Sequence, residues 1–362
     1  MDSMVQTHPS RAGESADSYL WNAWYVGALA SEVGPEELFP RTLLDTSILF
    51  YRKQDGTAVA IHDRCPHRFA PLHLGTRNGD QVVCKYHGLQ FDCSGQCTHS
   101  PHGNGNIPKA AVVKSFPVIE RYGFLWIWMG EKEADESLLP DFGYLDNGPD
   151  TALAHTYLHV NCHYELISDN VMDLSHVDHL HGEILSTKGT LSPLMAKVRE
   201  TERAVNARWV WKQTPASLLF SPHMPDPAGE THLFFDITWT PPANIQLSVG
   251  ATQTKTDAPL TLENTVGQYD LHTVTPESLD TTHYFFATRR NHLLDDAAHN
   301  EHMIQILHDT FQNEDGAMLE AVHAEMRTSD FFALNPVLMS NDVAPVKVRR
   351  LLKRLKIEEQ TD

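Results

Sequence analysis

Two short boxes in the first third of the chain carry residue types that bind metals. The first is Cys65-Pro-His67 and the second is Cys84-Lys-Tyr-His87-Gly88, with sixteen residues between them. Two thiols and two imidazoles in this order suit tetrahedral zinc. They equally suit an iron–sulfur cluster with two thiolates on one iron and two imidazoles on the other, an exchange that raises the reduction potential. Gly75 and Gly88 flank the boxes, and Gly88 would let the backbone approach a cluster closely.

A second constellation lies in Ser168-Asp-Asn-Val-Met-Asp-Leu-Ser-His-Val-Asp-His-Leu-His181. On a helix, Ile167, Val171 and Leu174 form an apolar stripe, with Asp169, Asp173 and His176 on a polar strip beside it. His176, His179 and His181 crowd into six residues. On a regular helix His176 and His179 share a face, whereas His176 and His181 stand about 140° apart. Spacing alone therefore leans toward the first pair, unless the helix ends or distorts near Val177. Two histidines on a dioxygen-activating iron also require a carboxylate. Far downstream, Ile304, Leu307, Phe311, Met318 and Val322 repeat as a core stripe that Glu314 and Asp315 interrupt. A buried carboxylate is costly without a partner, and a metal would supply one. Asp315 lies nearer the centre of the stripe; Glu314 is the runner-up.

The elements that must position these groups follow from the pattern. Residues 1–19 read as a flexible lead-in without an apolar leader segment. Residues 20–130 read as a small all-β domain, with hairpins such as Ser47–Tyr51 and Ala58–Ile61 around Gln54-Asp-Gly56. Cys93 and Cys97 fall in a further hairpin as plain small side chains. Residues 131–150, acidic and rich in Pro and Gly, read as a linker. Residues 151–362 predict an α+β domain: a strand over 152–162, a helix over 164–177, strands between about 197 and 288, and a long helix over 293–326. The basic run Lys347–Lys356 reads as a solvated helix face.

The bulk numbers limit the function. A formal charge of −19 excludes a nucleic-acid surface. No apolar run approaches the length of a bilayer span. Five cysteines, an odd number, predict reduced thiols in a cytoplasm. Twenty-two histidines are many for 362 residues.

The spacing C-x-H … C-x-x-H resembles the Rieske [2Fe–2S] domain. Where respiratory Rieske proteins carry an extra disulfide, the corresponding positions here look like Ala70 and Tyr86, so the resemblance is to an oxygenase or a small ferredoxin, and over 200 further residues exclude the ferredoxin alone. The chain also carries Trp21-Asn-Ala-Trp-Tyr-Val26, Arg121-Tyr-Gly-Phe-Leu-Trp126 and D-x-x-H-x-x-x-x-H at Asp173, His176 and His181. Together these are similar to the oxygenase component of Rieske non-haem iron aromatic oxygenases, nearest the vanillate and dicamba O-demethylase group. The resemblance implies a cluster on Cys65, His67, Cys84 and His87, and a mononuclear Fe(II) on His176, His181 and Asp315, leaving His179 out. It implies that Asp173 bridges His87 of one subunit to His176 of the next in a homotrimer, with Asn170 close to the iron. It implies O2 and NAD(P)H as cosubstrates, with electrons from a flavin and [2Fe–2S] reductase or a separate ferredoxin. The expected reaction is oxidative O-demethylation of an aromatic acid, giving a phenol and formaldehyde; the alternative is ring dihydroxylation. An electron carrier without oxygenase activity would have no use for the second site.

Overall fold

The computed structural model describes residues 19–182, 185, 189–215 and 217–361. The lead-in expected over 1–19 lies outside the described residues except for Tyr19, which is buried.

Eleven strands build three small antiparallel sheets. They are β1 (Trp24–Leu29), β2 (Phe39–Leu43), β3 (Thr46–Arg52), β4 (Ala58–His62), β5 (Thr76–Asn78), β6 (Gln81–Val83), β7 (Gln90–Phe91), β8 (Cys97–His99), β9 (Ser115–Phe116), β10 (Val118–Arg121) and β11 (Phe124–Trp128). The sheets run β1-β11-β10, β2-β3-β4-β9 and β5-β6-β7-β8. The two-residue turn between β10 and β11 has positive φ at both Tyr122 and Gly123, the twist that suits a tight hairpin. A Cβ on Gly123 would stand 2.6 Å from His155 of the second domain, so only glycine lets this tip touch it.

The remaining strands are β12 (Leu153–Val160), β13 (Lys197–Glu200), β14 (Val205–Pro215), β15 (Glu230–Thr240), β16 (Asn244–Thr252), β17 (Val266–Pro276) and β18 (Thr282–Arg290). They form one seven-stranded antiparallel sheet in the order β12-β18-β17-β16-β15-β14-β13. Alternation in β14 sends Val205, Ala207, Trp209 and Trp211 inward. Every residue of β18 is buried, because both faces of the sheet are covered there. On one side, Leu271, Phe285 and Ala287 pack against Trp24, Phe124 and Trp126 of the small sheets. The stretch 131–150, expected as a linker, is part of this junction: Leu139, Phe142 and Leu145 are buried in the same cluster. Its turns are short 3-10 segments whose apolar residues face the tryptophans.

The helices are α1 (Tyr164–Met172), α2 (Val177–Leu180), α3 (Ala297–Thr310), α4 (Ala317–Met326) and α5 (Val343–Thr361). The helix expected over 164–177 stops five residues early. Asp173 takes an extended backbone, and its carboxylate accepts from the Ser175 N–H, which caps a 3-10 turn over Leu174–His176. The long late helix is continuous, but six residues, Phe311–Gly316, widen into a π turn between α3 and α4. No helix among the described residues is long and apolar enough to cross a membrane.

The basic run on α5 is not simply a solvated face. Arg349 is buried and reaches Asp169 through Nε at 2.8 Å and Glu165 through Nη1 at 3.0 Å. Lys356 bonds the other oxygen of Glu165 at 3.0 Å. Burial would raise Glu165, but Lys356, His163 and Arg349 hold it down at about 2. Asp169 has one cation, and burial pushes it up to about 6. These ion pairs fix α1, and α1 leads into the histidines. Removing one partner of such a network leaves buried charge uncompensated. Arg349→Ala should therefore cost about 3–5 kcal/mol, read as an earlier urea midpoint for the catalytic domain. Lys353→Ala on the exposed face of the same helix should stay within about 0.5 kcal/mol. Equal midpoints for the two variants would refute the clamp.

Candidate active site

The two Cys/His boxes fold into loops with the same hydrogen-bond pattern. Cys65 N–H donates to Ala70 and its carbonyl accepts from Phe69; Cys84 N–H donates to Leu89 and its carbonyl accepts from Gly88. Phe69 and Gly88 occupy equivalent places, and both have positive φ, at 60° and 72°. The loops face each other. The His67 and His87 rings lie 4.5 Å apart, and the two unpaired thiols are buried behind them. Burial pushes the Cys65 thiol up to about 11, against the pull of the His67 and Arg68 N–H groups that point at its sulfur. A cation between the loops would reverse that shift. Gly75 is needed for a different reason from Gly88: its Cβ would stand 2.1 Å from the Val83 carbonyl oxygen of the neighbouring strand. Two dry sulfurs, N–H groups aimed at one of them and outward imidazoles form a donor set that fits a [2Fe–2S] cluster with mixed ligands.

In the second domain the structure brings His176, His181 and Asp315 together; their ligand atoms lie within 4.8 Å of one another. His176 Nε2 is 3.5 Å from one Asp315 oxygen, and His181 Nε2 is 3.5 Å from the other. These distances are too long for good hydrogen bonds. They approach the spacing of about 3.0–3.4 Å expected for donors that share a metal at about 2.1 Å. The opposite nitrogen of each ring is occupied. His176 Nδ1 bonds the Asp173 carbonyl oxygen at 2.6 Å, and His181 Nδ1 bonds Glu314 at 2.8 Å. Both rings are thus oriented with Nε2 inward, as metal-binding histidines are. Asn170 Nδ2 donates to Asp315 at 3.0 Å. Burial lowers His176, with Asp315 opposing; burial raises Asp315, with His181, His176 and Asn170 opposing. The donor set fits a divalent iron with open positions.

His181 joins because the chain breaks twice. It breaks at Asp173 and again after Leu180, where His181 is extended. His179, which a regular helix would have favoured, is exposed and bonds Ser192. Glu314 sits behind the His181 ring, away from the inward nitrogens. Asp173 meets His176 through its main-chain oxygen rather than its carboxylate. The carboxylate accepts from Ser175 and, at 2.6 Å, from Asn341 Nδ2. Sequence reasoning missed Asn341, which lies in an irregular stretch without periodicity.

A cavity opens at this triad. Val171, Leu247, Val249, Leu307 and Phe311 make much of its wall, and Gln268, Asp270, His272 and Tyr284 add polar groups. Of the aromatic residues at 209, 211, 220, 234 and 239, only Phe220 reaches the cavity; the others are core. His272 Nδ1 bonds Tyr284 Oη at 2.5 Å, while its buried Nε2 has no protein partner. Burial holds this imidazole at about 3, so it is neutral. The expected anchors for a substrate carboxylate, His or Arg, are represented only by histidines: no lysine or arginine lines the cavity among the described residues.

Comparison with known proteins gives the same division of labour. Residues 23–117 match the Rieske [2Fe-2S] domain, and residues 160–358 match the vanillate O-demethylase oxygenase C-terminal domain. The oxygenase component of chloroacetanilide N-alkylformylase from Rhizorhabdus wittichii is 34% identical, over 92% of this chain and 95% of that one. The oxygenase component of dicamba O-demethylase from Stenotrophomonas maltophilia is 33% identical, over 93% and 98%. The crystal structure of dicamba monooxygenase bound to 3,6-dichlorosalicylic acid superposes with a TM-score of 0.88 at 33% identity, covering 95% of this chain and 100% of that one. With both donor sets intact on a matching fold, the chain belongs to the Rieske non-haem iron oxygenases, in the family of the vanillate and dicamba O-demethylase oxygenase components.

Proposed function

We propose that this oxygenase removes an alkyl group oxidatively from an oxygen or nitrogen on an aromatic substrate, with O-demethylation as the type reaction. The observation that carries the reading is the cavity. Its lining brings His176, His181 and Asp315 together with His272 and Asp270 among mainly apolar side chains. Neutral His272 offers Nε2–H to a substrate acceptor. Asp270, pushed up to about 6 by burial against the hydrogen bonds of Thr288 and Gln268, offers an acceptor to a substrate N–H or O–H. Among the described residues that line the cavity no lysine or arginine offsets Asp270, which favours a neutral ether or amide beside the aromatic acid of the sequence reading.

The chain's own residues divide the work. Cys65, Cys84, His67 and His87 would hold the cluster; His176, His181 and Asp315 would hold the iron. When bound, these groups supply single electrons and dioxygen activation, respectively. Asn170 orients Asp315, and Glu314 orients His181. The apolar wall excludes water and fixes which alkyl carbon faces the iron end, and that placement separates dealkylation from ring dihydroxylation. Electrons come from NAD(P)H through a partner reductase or ferredoxin. Two surfaces support a homotrimer. The imidazoles at the tip of the small domain lie among exposed Phe69, Leu74 and Tyr86. Asp173 and His176 line a groove whose wall includes Leu338, beside exposed Val337 and Met339. A partner's tip in that groove would bring its His87 to Asp173 and cover both apolar patches. Five unpaired cysteines agree with a cytoplasmic setting.

Four outcomes test this reading. In a single turnover of chemically reduced protein with O2, methoxybenzoates, neutral methoxyarenes or N-alkyl anilides should give the dealkylated product and an aldehyde. A product heavier by O2 and two hydrogens would move the protein to ring dihydroxylation. His176→Ala should lose iron and turnover while keeping the visible Rieske spectrum. Asp173→Asn should keep both metals but slow reoxidation of the reduced cluster about 100-fold; unchanged reoxidation rules the bridge out. Finally, Asp270 is charged above about pH 6 and protonated below it. A substrate donor is held best by the charged form, so KM should climb as pH falls through 6, and Asp270→Asn should flatten that climb. The same climb in the variant removes Asp270 from recognition.

A further inference from the structure

A second group of three histidines lies outside the triad. His223 ends the 3-10 turn Ser221–His223, His292 follows β18, and His299 sits in the first turn of α3. One nitrogen from each lies within 4.8 Å of the other two. The ring centroids are 4.6, 5.4 and 6.2 Å apart, and all three residues are half-buried. Packing three imidazoles together has a clear electrostatic cost if any is protonated. Accordingly all three are shifted down: burial is the first cause in each, and Arg290 adds to each. His292 is held at about 4. Three neutral imidazoles present three lone pairs, the form that a metal takes up. The Gly267 carbonyl oxygen lies 3.3 Å from His292 Nδ1, which leaves Nε2 as the free donor.

The charges around the cluster are Arg290 and Asp296. Arg290 is adverse to a cation, but its guanidinium is occupied by the carbonyl oxygens of Thr151, His292, Leu293 and Asp296. Asp296, the N-cap of α3, accepts from the His299 N–H and brings a carboxylate beside the cluster. An all-imidazole set of three differs from the triad's two imidazoles and one carboxylate. It suits a borderline transition-metal dication, with zinc the common case, and leaves a fourth position for water.

We propose that His223, His292 and His299 form a separate zinc-type site that ties the cavity wall to α3. The turn carrying His223 follows Ser217, Leu219 and Phe220, which line the cavity. The helix carrying His299 runs on to Leu307 and Phe311, which also line the cavity. A metal here would fix the spacing of the turn and the helix without touching substrate.

The test uses iron-loaded holoenzyme incubated with Zn2+, freed of excess by gel filtration and analysed for zinc and iron by mass spectrometry. The wild type should retain one zinc per chain more than His292→Gln or His299→Gln, with equal iron and an unchanged Rieske spectrum in all three. Added Zn2+ should also raise the Tm of the wild type and of neither variant. Equal zinc in the wild type and a variant that still holds its iron and cluster overturns the site. So does zinc gained only at the expense of iron. If both glutamine variants fail to fold, His223→Asn in the turn replaces them under the same criteria. Iron content and turnover report on the triad separately, so failure here leaves the proposed dealkylation standing.

Discussion

Asp315 keeps 4% of its surface accessible and stands in a wall shared with Leu307, Phe311 and Leu319. Taking a carboxylate out of water into such surroundings costs several kcal/mol unless its charge is answered. Asn170 offers one hydrogen bond, and the two histidines stop at 3.5 Å. A cation between them, as the proposed iron site would supply, answers that charge. The backbone is shaped to the same end. The late helix widens at Phe311–Gly316, and a Cβ on Gly316 would already lie 3.0 Å from the Phe311 carbonyl oxygen. The widened turn carries Glu314 to the outer nitrogen of His181 and Asp315 to the inner one. Neighbouring residues thus serve opposite sides of one ring.

The other half of the site depends on α1. It hangs from α5 by Arg349 and Lys356, so a helix at the end of the chain sets the position of Asn170, Asp173 and His176. Two carboxylates, Glu165 and Asp169, are buried for this purpose and not for chemistry. Their cations tell them apart from Asp315, which has no lysine or arginine partner among the described residues.

The sequence disclosed these features unevenly, for physical reasons. The Cys/His boxes were legible because their donor types rarely coincide by accident. The strands of the large sheet were legible in alternations such as Val205, Ala207, Trp209 and Trp211. The choice of His181 over His179 was not legible from period, because two breaks within eight residues defeat any periodic reading; it came from resemblance. Glu314 could be seen as a carboxylate in an apolar stripe, but only the π turn reveals that it backs a ligand. The basic run on α5 misled because charge pattern reports sign and not facing: Arg349 and Lys356 turn inward while Lys353 stays out. The stretch 131–150 has the composition of a linker, yet its buried Leu139, Phe142 and Leu145 anchor it to the junction.

The placement of Asp173 joins the local chemistry to the larger assembly. Its carbonyl oxygen is committed to His176, and its carboxylate is held by Ser175 and Asn341 at the edge of a groove. A group used only to orient His176 would need no more than the carbonyl. Three hydrogen bonds to a carboxylate on the groove side do something else: they fix a negative charge one residue's length from the iron-side histidine and leave it facing whatever fills the groove. Exposed imidazoles with an apolar rim at the other end of the same chain have the matching character, a donor edge set in surface that water does not favour. A head-to-tail contact satisfies both at once, and a closed ring of such contacts leaves neither surface uncovered. Under the proposed assembly the chain would hold all the ligands for both metals, while the path between the metals would be built only when a second chain arrives.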